Sequence, residues 1–383
     1  MMKVAALCDF PFWEGRIGSM VRFESLCRSL SKVCDLTAIS TVTLSQKYAA
    51  FPAQQPYEVI DRSVLKNVHA QLPPGDIPGV AAKHQVSVRS ITHLVSAAGF
   101  DAVLTPYFNR EWMVEHLPAS MVRIIDTHDC QSQRTRSFSR HKMVPTFHML
   151  PEEEGAELDK YDIALAMSDE DHDEFAAVTQ RPVITAPFRL PVRDTEPMRE
   201  LYAPEGDNRN LLFVAADSQV NRLTLAYLLK DILPLVRGDV SLHIVGSVQL
   251  PDSGAPSNVT VARHENVEDL IPLYARSALA VNPTYAGGGV KTKTLEALTF
   301  GVPVVTTDEG ARGLRHLIPR ELIVNDKYTF AFRVSQLLEA PSVRRNLGRQ
   351  QIQNLRSEDS ESWLPTFAAT LGTVRNMNKE RYL

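Results

Sequence analysis

Short apolar runs recur along the first half of the chain and alternate with longer segments in which apolar residues have helical spacing. A parallel strand covered on both faces is apolar throughout, so each run predicts a buried strand. Strands that alternate with helices indicate an α/β domain, which we predict over residues 1–190. Its predicted strands are Lys3–Cys8, Asp35–Ile39, Ala102–Leu104, Val122–Ile125, Ile163–Met167 and Val183–Ala186.

The same alternation returns after a polar, proline-bearing stretch. Residues 191–210 include Pro191, Pro197 and Pro204, and this composition predicts a linker. We predict a second α/β domain over residues 211–360, followed by a helical segment at 361–383. Its predicted strands are Leu211–Ala216, Leu242–Gly246, Val259–Ala262, Ala278–Val281 and Pro303–Thr307.

Three consecutive glycines, Gly287–Gly289, separate a predicted strand from the helix predicted at Val290–Phe300. Glycine lets the backbone come close to a ligand, and the start of a helix presents unpaired N–H groups and the positive end of the helix dipole. A phosphate is the natural ligand of such a turn. Lys291 and Lys293 lie in the first turn, where the dipole disfavours cations, and this indicates an anionic ligand.

Glu296 follows Lys293 by three residues, so the two side chains lie on the same side of the predicted helix. A carboxylate there can accept both hydrogen bonds of a ribose cis-diol, as the acidic residue of dinucleotide-binding folds does. The alternative is an exposed ion pair worth about 0.2–0.5 kcal/mol on a helix that only packs on a sheet. The glycine run favours the ligand-binding interpretation.

The stretch resembles the donor-binding motif of GT-B glycosyltransferases, specifically the large retaining family that uses nucleotide sugars. That family typically has two Glu residues separated by seven others, and its second Glu matches Glu296, followed by Gly301 and Pro303–Val305. Gly288 stands at the first Glu, which in the family helps to hold the donor sugar. A subgroup with a glycine run and two lysines is matched by Gly287, Gly288, Gly289, Lys291, Lys293, Leu295 and Glu296.

This resemblance implies a GT-B fold, with two Rossmann-like domains facing a cleft and a C-terminal helix that crosses back to the N-terminal domain. Trp363 and Phe367 suit the anchoring of that helix. In the first domain, Gly15 and Gly18 follow the first strand and would let donor or acceptor approach the backbone. A plain strand-to-helix turn is the alternative for these two glycines.

His128 lies just beyond a predicted strand, between Asp126 and Asp129. It resembles the histidine that many relatives place beside the donor sugar, and we predict catalytic roles for His128, Asp129 and Lys293. A capping aspartate and a hydrogen-bonded histidine are the alternative. In the second domain, Arg222 is the candidate phosphate ligand, because the Gly-Arg pair of relatives is missing there.

Basic and apolar residues are interleaved from Gln131 to Met149, and this pattern suits either an anionic or lipid-linked acceptor at a membrane surface or an ordinary solvated helix face. The net charge of -4 gives no indication of nucleic-acid binding. Four cysteines without CxxC spacing indicate reduced thiols and no structural zinc. No apolar run reaches about 18 residues, so we expect a cytoplasmic protein with possible peripheral contact to the inner face of a membrane.

The resemblance implies a retaining glycosyltransferase with a hexose-like nucleotide sugar as donor and a glycan, lipid-linked or protein acceptor. We expect no metal, because the amides of Gly287–Gly289 and the ammonium group of Lys291 or Lys293 can neutralise the departing diphosphate. No cofactor is expected. A GT-B nucleotide-sugar epimerase and a catalytically silent GT-B subunit that binds a partner are the alternatives. The sugar, the base, the acceptor and the oligomeric state do not follow from these patterns.

Overall fold

The structure, a computed structural model, describes residues 1–15, 17–145, 147–193, 208–252 and 254–382. The chain divides into two compact units. The first contains Met1–Gln133, Phe147–Phe188 and Ser360–Leu383, and the second contains Arg134–Thr146 and Arg189–Asp359. The predicted first domain included residues 134–146, which group with the second unit. Most of the predicted linker, at 194–207, lies outside the described residues.

Parallel sheets form the centres of both units. The strands of the first unit are β1 Met2–Cys8, β2 Cys34–Ser40, β3 Glu58–Ile60, β4 Ala102–Pro106, β5 Val122–Asp126, β6 Ile163–Ala166 and β7 Val183–Thr185. Those of the second are β8 Asn210–Val214, β9 Val240–Val245, β10 Val259–His264, β11 Leu279–Asn282 and β12 Val304–Thr306. The α-helices are α1 Gly18–Leu30, α2 Arg62–Gln71, α3 Gln85–Ala97, α4 Gln131–Arg140, α5 Pro151–Leu158, α6 Asp169–Ala176, α7 Gln219–Tyr227, α8 Ile271–Arg276, α9 Thr292–Thr299, α10 Lys327–Leu338, α11 Pro341–Ser357 and α12 Leu364–Tyr382.

The strand order changes direction once in each sheet. In the first unit the order is β3-β2-β1-β4-β5-β6-β7, so the change falls between β1 and β4. In the second the order is β10-β9-β8-β11-β12, so the change falls between β8 and β11. All the strand pairs in both sheets are parallel, which confirms the predicted α/β class.

The first sheet is buried on both faces, and strand β1 shows why its sequence is apolar throughout. Val4, Ala6 and Cys8 belong to one core cluster, whereas Ala5 and Leu7 belong to the other. All five residues are fully buried. Side chains alternate along a strand, so a strand between two core layers needs apolar residues at every position.

The C-terminal helix α12 packs into the core of the first unit. Phe367 is fully buried, and its ring centroid lies 5.8 Å from that of Trp363 in the core cluster that also contains Val4. Farther along the helix, Arg375 Nε lies 2.6 Å from Asp101 Oδ1. The predicted return of the terminal helix to the first domain is therefore confirmed.

Helix α9 ends where its sequence predicts. Gly301 has φ +67° and donates its N–H to Leu298 O at 3.1 Å. A Cβ atom at this position would lie 2.6 Å from Ile352 Cδ1, so both the backbone conformation and the packing require glycine. The predicted C-terminal glycine of this helix is confirmed.

Candidate active site

The loops at the carboxyl end of the second sheet gather around its change of strand order. Open parallel sheets bind ligands at this point, in the crevice outside the carboxyl ends of the strands. Asn221 and Arg222 lie in the first turn of α7, the helix that follows β8. The loop after β11 carries Gly287–Gly289, and the loop after β12 carries Glu309. The topology therefore places the predicted donor-binding residues where a ligand is expected.

The glycine run adopts conformations that favour glycine. Gly287 has φ +138° and Gly289 has φ +60°. The N–H of Gly287 donates to Ser137 Oγ at 3.0 Å, so this predicted phosphate donor already has a protein partner. Gly287 and Gly289 are buried, whereas Gly288 is partly exposed. A ligand would reach the run at Gly288 first.

Lys291 folds back onto the glycine run. Its Nζ donates to Gly288 O and Gly289 O, each at 3.1 Å, and to Glu309 Oε1 at 2.7 Å. An ammonium group has three protons, so these contacts use all of them. Lys291 therefore holds the run in place and is compensated by Glu309, in contrast to the free phosphate ligand expected from the sequence.

Lys293 is the second residue of α9 and reaches the first turn of α7. Its Nζ donates to Asn221 Oδ1 at 2.5 Å and lies 4.9 Å from the ring centroid of Phe213. Burial and, to a smaller extent, the charge of Lys291 lower the pKa of Lys293 to about 7, against the opposing effect of Glu296. A ligand with negative charge would favour the charged form of this amine.

Glu296 shows the opposite displacement. Burial raises its pKa to about 7, against the opposing effects of Tyr274, Arg193 and Lys293. Its Oε2 accepts a hydrogen bond from the Tyr274 hydroxyl at 3.3 Å. A carboxyl group and an amine that both have a pKa near 7 are unusual on one helix face, because both are ordinarily fully charged at pH 7.

Arg222 is less available than predicted. Its Nη1 lies 2.7 Å from Asp217 Oδ2, and both side chains are largely solvent-exposed. The neighbouring Asn221, also in the first turn of α7, links the end of β8 to α9. Its Oδ1 accepts a hydrogen bond from Lys293 Nζ, and its Nδ2 donates to Ala216 O at 2.8 Å. Sequence reasoning missed the role of Asn221, although its position just after a strand end was visible.

In the first unit, Gly15 and Gly18 lie in the loop after β1. Gly15 is exposed with φ +60°, and Gly18 is the first residue of α1. One turn farther, Arg22 is buried and bonds Asp126, with Nη2 to Oδ1 at 2.9 Å and Nε to Oδ2 at 3.1 Å. Its Nη1 donates to Ala186 O at 2.8 Å. The guanidinium of Arg22 thus ties together the carboxyl ends of the first sheet.

His128 lies two residues beyond β5 and is buried, with φ +62°. Its Nε2 is 3.3 Å from Asp126 Oδ2 without hydrogen-bond geometry. Burial lowers the pKa of His128, while Asp126 opposes this effect, so the environment favours the neutral ring. Asp129 accepts a hydrogen bond from Gln131 Nε2 at 2.6 Å.

Tyr107 is a residue of this region that sequence reasoning missed. It follows β4 at the change of strand order, and its ring stacks on that of His128 with centroids 4.0 Å apart and planes at 16°. Tyr107 also has positive φ, at +61°. Two strained non-glycine residues in contact require strong support from their surroundings, a feature common at functional sites. No local sequence signal reveals such a stack.

The basic and apolar segment around α4 divides into buried and exposed parts. Phe138 and Met143 are buried and pack against Ala286, next to the glycine run. By contrast, 78% of Val144 and 53% of Phe147 are exposed. Neither predicted alternative describes the whole segment, because some of its apolar residues belong to the core of the second unit.

A comparison with protein families matches the second unit, which contains the candidate site. Residues 208–340 match the family model described as glycosyl transferases group 1. A search of the curated proteins gives no match. TarM has a similar structure, with a TM-score of 0.73 at 8% identity over 97% of this chain and 99% of that chain. The chain has the GT-B fold.

Two further solved structures have the same fold. Sucrose-phosphate synthase from Thermosynechococcus elongatus matches with a TM-score of 0.61 at 13% identity, over 98% of this chain and 99% of that chain. Anabaena HepE, solved in complex with UDP and glucose, matches with a TM-score of 0.62 at 15% identity, over 97% and 100%. At identities this low, the similarity shows the fold alone. The substrates of this chain have to be argued from its own residues.

Groups of three or more His, Cys, Asp or Glu side chains arranged to hold a metal ion do not occur within the described parts of the chain. Among the helices of those parts, none combines the length and apolar character needed to cross a membrane.

Proposed function

We propose that the chain transfers a sugar from a nucleoside diphosphate sugar to an acceptor, with retention at the anomeric carbon. The observation that carries this proposal is the position of Lys293 and Glu296 on α9, beside the change of strand order, where Lys293 Nζ lies 2.5 Å from Asn221 Oδ1 and burial brings the pKa of both groups to about 7. Displaced pKa values in a crevice mark candidate functional sites. The family match over residues 208–340 supports the same conclusion.

The donor would bind along the start of α9. Glu296 accepts hydrogen bonds from the ribose hydroxyls, and Lys293 neutralises charge on the diphosphate as the bond to the sugar breaks. Backbone N–H groups of Gly287–Gly289 assist, and the Gly287 N–H exchanges Ser137 for a phosphate oxygen. UDP, which is present in the solved HepE complex, is the first nucleotide to test. Arg222 would contact the diphosphate after leaving Asp217.

In the first unit, we assign His128 and Asp129 to the reacting sugar. A neutral imidazole can accept a hydrogen bond from a sugar hydroxyl and therefore orients the sugar without taking part as a charged group. Gly15 and Gly18 would admit the acceptor, which we propose to be a glycan, a lipid-linked sugar or a protein. Contact of exposed Val144 with a membrane surface belongs to the same proposal.

The proposed reaction needs no metal, because Lys293 and the helix start would balance the charge of the departing diphosphate. Treatment with EDTA followed by gel filtration is therefore expected to leave the transfer activity unchanged. Loss of activity on chelation, with recovery on adding Mg²⁺ or Mn²⁺, would refute this part of the proposal.

A panel of nucleotide sugars tests the function itself. The true donor is expected to raise the melting temperature, because a ligand that binds only the folded state stabilises it. The donor found in this way is then incubated with the protein, with and without candidate acceptors. Transfer supports the proposal, conversion of the donor without an acceptor supports an epimerase, and binding without turnover supports a silent subunit.

A further inference from the structure

A carboxylate lies directly against the glycine run. Glu309 comes from the loop after β12, and its Oε1 accepts a hydrogen bond from Lys291 Nζ at 2.7 Å. The same oxygen lies 3.6 Å from the position that a Cβ atom on Gly287 would occupy. The Glu309 carboxylate therefore lies directly beside Gly287 and is tied to the run through Lys291.

This carboxylate is held but remains accessible. The Glu309 side chain is 18% exposed and that of Lys291 is 12% exposed. Lys291 is itself fixed by the carbonyl oxygens of Gly288 and Gly289. No partner for Glu309 Oε2 is found among the residues that the structure describes, so one carboxylate oxygen is anchored and the other can accept hydrogen bonds from a ligand.

The chemistry of the donor indicates which part of it meets this oxygen. A carboxylate repels a phosphate, so Glu309 is unsuited to the diphosphate. It does accept hydrogen bonds from hydroxyl groups, and charge-assisted bonds of this kind are about twice as strong as neutral ones. A nucleotide sugar carries hydroxyl groups at both ends of its diphosphate, on the ribose and on the donor sugar. Because the ribose is assigned to Glu296, the donor sugar is the group that remains for Glu309. Gly288, at the accessible point of the run, has no side chain with which to bind it.

We propose that Glu309 binds the hydroxyl groups of the donor sugar and that Lys291 positions it. This inference rests on the proposed function and adds a specificity-determining residue to it. In this arrangement Lys291 positions Glu309, and Lys293 is the lysine that binds the diphosphate. The arrangement also supplies a side-chain acceptor at a glycine run that lacks one of its own.

Binding of UDP and UDP-glucose to Glu309→Gln provides the test, measured by isothermal titration calorimetry. Because glutamine is isosteric but uncharged, the affinity for UDP-glucose is expected to fall about tenfold, the effect of losing a charge-assisted hydrogen bond. The affinity for UDP is expected to stay within about twofold or to rise, because Lys291 loses its counterion. Asp231→Asn, which removes another ion-paired carboxylate of the second unit, is the matched control and should change neither affinity.

Equal weakening of UDP and UDP-glucose would show a structural role for Glu309 and overturn the inference, as would unchanged affinity for both. If the wild-type protein prefers another nucleotide sugar of the panel, that compound and its nucleoside diphosphate replace the uridine pair. Wild-type protein that binds none of the panel overturns the proposed function, and the inference fails with it. The two failures are therefore distinguishable by the behaviour of the wild type.

Discussion

Charged groups at the carboxyl ends of the two sheets are balanced in different ways. In the first unit, Arg22 and Asp126 are both buried and form a hydrogen-bonded pair. Burial raises the pKa of Asp126, but Arg22, with a smaller contribution from His128, more than offsets this and the pKa falls below its usual value. In the second unit, burial dominates at Lys293 and Glu296, and the pKa of each moves to about 7.

The difference separates a structural arrangement from one that is prepared for a ligand. A pair whose charges satisfy each other gains nothing from an added ion, whereas groups that are held away from water and poorly balanced gain from a ligand that supplies the missing partner. Substitutions are therefore expected to act with opposite sign on stability in the two units. Loss of a charge should destabilise the first site and stabilise the second.

The largest effect is expected for Arg22→Met. Removing one member of a buried ion pair leaves the other charge uncompensated, which typically destabilises a protein by about 3–5 kcal/mol. Urea unfolding measures this loss. Arg28→Met is the matched control on the same helix, because Arg28 pairs with Glu24 at a side-chain exposure of 48%. Similar losses for the two variants would contradict the importance of the buried pair.

The sequence accounts for the elements and for the predicted loops, because their signals are local. Consecutive apolar residues predict β1, and the glycine after Phe300 predicts the end of α9. The charge balance depends on contacts between residues that are far apart in the chain. Asn221 and Lys293 are 72 positions apart, and Ser137 and Gly287 are 150 apart. Such partners follow from the tertiary fold, so the sequence alone does not predict them.

Lys293→Met is the next test and should separate stability from binding. Folding lowers the pKa of Lys293 from 10.5 to about 7, so the unfolded state takes up the proton more readily. The free energy of unfolding of the wild type therefore decreases as the pH falls from 10.5 to about 7. The variant is therefore expected to be more stable than the wild type at pH 7, with a smaller difference near pH 10. Urea unfolding at both pH values measures this.

The same variant is expected to bind UDP less tightly by about 1.5–3 kcal/mol, the range for hydrogen bonds to charged groups. In the wild type, affinity should decline as the pH rises above 7, because the amine loses its charge. Lys230→Met changes an exposed lysine of the second unit and serves as control. If Lys293→Met is less stable than the wild type and binds UDP with unchanged affinity, Lys293 has a structural role and the proposed phosphate contact is contradicted.

Glu296→Ala should weaken nucleotide binding by about 1–3 kcal/mol, because the ribose hydroxyls lose their acceptor. Because the pKa of Glu296 is raised, this group contributes stability that is fully present below pH 4.5 and is lost as the pH rises to about 7. Glu296→Gln should remove this decline in the free energy of unfolding. Calorimetry with UDP measures binding, and Glu321→Ala, at an exposed position, is the control. Unchanged affinity in Glu296→Ala would exclude the ribose contact.

The smallest effect is expected for Ser137→Ala. The Ser137 hydroxyl accepts a hydrogen bond from Gly287 N–H, the amide that we assign to a phosphate oxygen, so serine and ligand compete for it. Removing a neutral hydrogen bond should lower stability by about 0.5–1.5 kcal/mol and increase UDP affinity by about 2- to 10-fold. Ser139→Ala, exposed on the same helix, should change neither quantity. Weaker UDP binding in Ser137→Ala would show that the hydroxyl contacts the ligand directly, and the competition would then be refuted.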